Sequence, residues 1–111
     1  MIIMNSVQTT VRFDMRFDST FCEGTLTLCN GLVEMCLDGD STVFSLENVR
    51  EARQFTDIGC GRLELVPADA ADELGTDNIP VCRFSMSCIN EIGEFVKVIN
   101  HYLRSGEQLE I

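Results

Sequence analysis

From Val7 to Phe17 every odd position is apolar or threonine (Val7, Thr9, Val11, Phe13, Met15, Phe17), and Gln8, Thr10, Arg12, Asp14 and Arg16 fall between them. Side chains on a strand alternate faces, so this pattern predicts a long half-buried strand with one greasy face and one wet face. At ~3.3 Å per residue it would reach about 36 Å, enough to bend round a barrel. Far along the chain, Ile89, Ile92, Val96, Ile99 and Leu103 repeat at three and four, the stripe of a helix lying on a core. Phe95 and Tyr102 widen the same face.

The stretch between them reads as hairpins. A turn over Thr20–Gly24 leads to a strand over Thr25–Cys29, with Leu26 and Leu28 on one face. Asn30-Gly31 then signals a two-residue type I′ turn, because both central residues need positive φ. Leu32–Leu37 returns with Val33, Met35 and Leu37 on one face, Asp38-Gly39 repeats the signal, and Ser41–Leu46 follows. Leu46, Val49 and Ala52 also fit the start of a short helix, but a turn at Glu47-Asn48 and a strand over Val49–Phe55 fit better. Asp57–Gly61 is a turn, and Arg62–Val66 is a strand with Leu63 and Leu65 inward that Pro67 ends. Ala68–Asn78 is an acidic loop, and Ile79–Ser85 is the final strand. The helix is expected to open on Ser87 as N-cap, with Glu91 near its positive end. Gly93 marks a close approach, and Gly106 supplies the left-handed stop after Arg104. Residues 1–6 are expected to be flexible, 7–105 to form the domain, and 106–111 to be a tail or the start of a linker.

At 111 residues this is one domain, able to bury roughly two-thirds of its unfolded surface without staples. The 45% apolar content argues against disorder. No apolar run approaches the ~20 residues of a membrane span, and Met1-Ile2-Ile3-Met4 is too short and lacks the basic start of a signal peptide. The net charge of −10, with Lys97 the only lysine, disfavours nucleic acid and anionic lipid, which are bound by basic residues. Six cysteines (Cys22, Cys29, Cys36, Cys60, Cys82, Cys88) include no Cys-x-x-Cys pair. They read as structural thiols of a reduced, cytoplasmic protein rather than as disulfides or zinc ligands.

No catalytic, cofactor or metal site is assigned, and the expectation is that the chain is not an enzyme. His101, the only histidine, lies off the apolar stripe near Lys97 and reads as a surface residue. A nucleophilic cysteine needs a base and an orienting group, and no signature surrounds any of the six. The acidic loop lacks EF-hand spacing, and Gly59-Cys60-Gly61 lacks the following helix of a phosphate cradle. Phe13, Phe17, Phe44, Phe84 and Phe95 are assigned to the core. Phe21, in a turn, is the one candidate binding residue, either a contact anchor or a ring folded back over the barrel mouth.

Seven hairpin-linked strands closed by one amphipathic helix, with Leu46-Glu47-Asn48-Val49 as the step between strands, resemble the pleckstrin-homology superfold. The fold class expected is therefore mainly β: a bent antiparallel seven-stranded barrel capped by one C-terminal helix. Phe13-Asp14-Met15-Arg16-Phe17-Asp18, Gly24-Thr25-Leu26-Thr27-Leu28 and Cys82-Arg83-Phe84-Ser85-Met86-Ser87 are similar to the pleckstrin-homology-like segment at the N-terminus of some clostridial-type ABC exporters. The resemblance implies a non-catalytic interaction or regulatory module of a larger protein, on the cytoplasmic side of a membrane. Its partner would be a protein or another domain of the same polypeptide, with a homodimer through a sheet edge as a further expectation. The chain has no GxxxxGK[ST] loop, so no ATPase activity resides in it. Lipid-binding relatives carry basic residues in the first hairpin, where this chain has Ser19-Thr20-Phe21-Cys22-Glu23. The alternatives are a small-molecule binder using the barrel mouth and a thiol-dependent enzyme.

Overall fold

A computed structural model describes residues 8–70 and 77–108. The expected flexible N-terminus, the centre of the acidic loop and the end of the tail lie outside the described residues. Seven strands run in chain order: β1 (Thr9–Met15), β2 (Phe21–Cys29), β3 (Leu32–Leu37), β4 (Asp40–Ser45), β5 (Val49–Thr56), β6 (Cys60–Pro67) and β7 (Ile79–Ser85). A 3-10 turn (Met86–Cys88) and one helix, α1 (Ile89–Ser105), follow. The chain is mainly β, with all strands antiparallel in one sheet of order β4-β3-β2-β1-β7-β6-β5. The sheet does not close: β4 and β5 are its two edges.

The sheet bends because its two halves share one core. Leu26, Leu28 and Val33 from one half join Leu63, Leu65 and Phe84 from the other, and Ile92, Phe95 and Ile99 of α1 fill the opening. All nine are essentially inaccessible to solvent; each such side chain contributes about 1.5–3 kcal/mol on burial. Between β1 and β7 the only ladder pair among the described residues is Met15–Arg83. There the Asp14 carboxylate takes over from backbone pairing. It accepts the Ser85 N–H at 2.7 Å and the Ser85 hydroxyl, and Ser85 Oγ in turn accepts the Ser87 N–H at 3.2 Å.

Two strand glycines make close packing feasible. Gly24 lies opposite Phe13, and Gly61 lies opposite Phe84. A Cβ at Gly24 would stand 2.2 Å from the Phe13 ring, and one at Gly61 would stand 2.6 Å from the Phe84 ring. Each ring packs against its partner glycine, the close approach that glycine in a strand marks.

Several boundaries differ from the expectation. β1 stops at Met15, because Arg16 and Thr20 close a hairpin through Arg16 N–H to Thr20 O at 2.8 Å, with Ser19 at φ 71. Phe17 therefore sits in the turn and is 52% exposed rather than in the core. β2 begins at Phe21, four residues early, since Phe21 and Gly24 pair with Met15 and Phe13. Ser87 does not cap the helix: Ser85 caps the 3-10 turn, and α1 starts after Cys88 with no side-chain cap. His101 is half-buried, its Nε2 shut off from solvent without a partner, not a solvated surface group. Both type I′ turns form, with Asn30, Gly31, Asp38 and Gly39 all at positive φ, and Gly106 is the left-handed cap of α1. Within the stretch read as a tail, Gln108 donates to Leu28 O at 2.7 Å. No helix among the described residues is long and apolar enough to cross a membrane.

Candidate functional site

The two sheet edges are treated differently. At β5, the Asn100 amide of α1 sits against Ala52 like a neighbouring strand. Its Oδ1 accepts the Ala52 N–H at 2.7 Å, and its Nδ2 donates to Ala52 O at 3.0 Å. Two residues on, Gln54 Nε2 reaches Ile89 O at 3.2 Å and ties the edge to the first turn of α1. The groove between β5 and α1 is thus plugged at Ala52 and bridged at Gln54. What is left is a hollow of about 370 Å³ beside Gly93.

β4 has no such cover. Leu46 N–H donates to Gly31 O at 2.9 Å across the β3–β4 hairpin. Alternation along an antiparallel ladder therefore turns the N–H and C=O of Ser41, Val43 and Ser45 away from β3. Among the described residues none of these backbone groups has a partner. The edge carries no lysine, proline or bulge, the devices that usually blunt such strands. Its outer face continues into Leu32 and Val43, which are 43% and 54% exposed. Glu34 lies opposite Val43 on β3.

Phe21 is exposed, 73% of its surface facing solvent, so the ring does not fold back over the core. It stands in β2 beside the first hairpin, not within a turn. Arg16 makes that hairpin rigid: its Nη1 donates to Phe21 O at 2.7 Å, while Nε and Nη2 grip Asp38 at 3.1 and 2.9 Å. The β1–β2 and β3–β4 turns are thereby clamped together at one end of the sheet. Nothing in the sequence marks this pair beyond two opposite charges in separate turns.

A groove of about 660 Å³ lies between β1, β2 and the 3-10 turn, lined in part by Asp14, Cys22, Glu23, Ser87, Cys88 and Glu91. Burial tends to raise the carboxyl of Asp14, but hydrogen bonds from the Ser85 hydroxyl, the Ser85 N–H and the Cys88 thiol outweigh it and hold Asp14 below its usual value. Burial, reinforced by Asp14 and Glu91, pushes the Cys88 thiol up to about 11. Burial also raises Cys22, Cys36 and, most strongly, Cys82. These four thiols stay protonated near neutral pH, the opposite of an activated nucleophile. All six cysteines are free, and among the described residues no three His, Cys, Asp or Glu side chains are grouped to hold a metal ion.

Seven of the eight cations are already engaged; the exception among the described residues is Arg104, in the last turn of α1. Arg12 meets Glu91, Arg16 Asp38, Arg50 and Arg53 Glu51, Arg62 Asp57 and Glu64, and Lys97 Glu94. Arg83 spends its Nη groups on Phe17 O and Cys60 Sγ. No family model, curated protein or solved structure matches the chain.

Proposed function

We propose that this chain is a non-catalytic interaction module of pleckstrin-homology-like kind, working as a contact or regulatory domain of a larger protein such as an ABC exporter. The observation that carries the reading is the unequal treatment of the two sheet edges. One is blocked at Ala52 by Asn100 of α1, and the other presents three outward backbone pairs with no partner among the described residues. An edge of that kind recognises extended polypeptide by strand addition, with backbone bonds for affinity and alternate side chains for choice. The raised thiols and the engagement of seven of the eight cations support a role without covalent chemistry or polyanion binding.

Two experiments test it. Reading the genomic frame past Ile111 should find membrane spans followed by a phosphate-binding loop; a stop codon there removes the exporter part of the proposal. Deleting the domain from its host should change assembly or regulation and leave the host's chemistry running. Loss of all turnover in a folded host counts against it. The second reading is a small-molecule binder in the groove beside Asp14 and Cys88, favoured by its volume, which is of the size that ligands occupy. A metabolite panel that leaves the melting temperature unmoved at millimolar concentration argues against that reading.

A further inference from the structure

We infer that the open edge of β4 takes a cationic extended segment, a strand carrying lysine or arginine on either side of a branched apolar residue. The inference rests on reading the chain as an interaction module and names the occupant of its edge. Residues 17–49 contain no Lys, Arg or His, yet they include Asp18, Glu23, Glu34, Asp38, Asp40 and Glu47. Of these, among the described residues, only Asp38 forms an ion pair, with Arg16. Apart from Arg16, whose guanidinium is spent on Asp38 and Phe21 O, every positive charge of the domain comes from outside the β2–β4 half of the sheet, and the uncovered edge belongs to that half.

The geometry says where the charges would meet. Asp40 stands at the start of β4 and Glu47 just past its end, both exposed. Glu34 lies on the outer face, directly across from Val43. A strand added antiparallel would pair with Ser41, Val43 and Ser45, the residues whose backbone groups point outward. Its residue opposite Val43 would share the outer face and extend the apolar strip of Leu32 and Val43. Its neighbours two positions either way would share that face too, on the side of Glu34, while Asp40, paired with Leu37 on the inner face, and Glu47 add negative charge at the two ends of the edge. A second copy of this chain fits less well, because it would bring another net charge of −10 against the same acidic half.

The test is an amide NMR titration of the full chain with the capped peptide Thr-Lys-Thr-Val-Thr-Lys-Thr, and with the same peptide carrying Glu for Lys. The Lys peptide should move the amide signals of Ser41, Val43 and Ser45, and its affinity should fall as salt rises. The Glu peptide should leave those signals still. Val43→Pro, which removes an outward N–H and no ladder bond, should abolish the shifts while the rest of the spectrum stays dispersed. The triple variant Glu34→Gln, Asp40→Asn, Glu47→Gln keeps the edge intact and should bind about five- to tenfold more weakly, as the loss of exposed charge attraction on both lysines implies. No shift at up to about 2 mM Lys peptide, equal binding of the two peptides, or sedimentation showing that a second copy already occupies the edge at neutral pH would each overturn it. If the peptides fail but Val43→Pro still alters the assembly of the host, the interaction reading stands and only the cationic occupant is lost.

Discussion

Asp14 is the residue on which the corner of the sheet turns. Its carboxylate replaces backbone bonds where β1 and β7 meet at one pair, and it passes the connection through Ser85 to the 3-10 turn that leads into α1. Its folded-state value lies below the ordinary 3.8, because the Ser85 and Cys88 hydrogen bonds exceed the cost of burial. The native state therefore favours the charged form. That contribution is complete above the unfolded value and disappears as pH falls through the lower folded one. Asp14→Asn should destabilise the protein at pH 7 and flatten the loss of stability between about pH 5 and pH 2, as read by urea denaturation across that range. An acid limb as steep as in the parent protein would show that other carboxylates govern it.

At the scale of elements, the alternation from Val11 to Met15 and the paired signals Asn30-Gly31 and Asp38-Gly39 were sufficient to place β1, β3 and β4. In each case the cause is local: a two-residue side-chain period, or a backbone that needs positive φ. The stripe of α1 and its stop at Gly106 were legible for the same reason. Phe17 was misplaced because alternation continues past Met15 while the chain has already turned, and the turn is held by Arg16 reaching Asp38 from another hairpin. Ser85, not Ser87, became the cap because Asp14, seventy-one residues earlier, fixes its hydroxyl. The edge asymmetry was invisible in sequence, since an asparagine on a helix does not announce which strand it will face. Gly24 and Gly61 were read as turn residues, and neither the strands they enter nor the rings they face were legible. Gly24→Ala should cost about 1–3 kcal/mol in stability, because the buried Phe13 ring has nowhere to move. A denaturation midpoint within error of the parent would mean that the ring slides aside.

For the whole molecule, the acidic surface and the unclosed sheet act together. Mutual repulsion between copies weakens as pH approaches the sequence pI of about 4.3, and the β4 edge is then least protected. Asn100 matters here beyond its own bonds. Asn100→Ala should cost about 1–3 kcal/mol by leaving the Ala52 N–H and C=O unpaired. Near pH 4.3 the same variant should form long thioflavin-positive aggregates where the parent forms at most small species, a difference followed by light scattering. Equal aggregation of the two proteins would sink the idea. Copies joined β4 to β5 would repeat head to tail without ever closing, the arrangement that builds a fibre. A single amide side chain lying along one border acts as a chain terminator, so one strand can be accepted at the other border and no filament can grow from it.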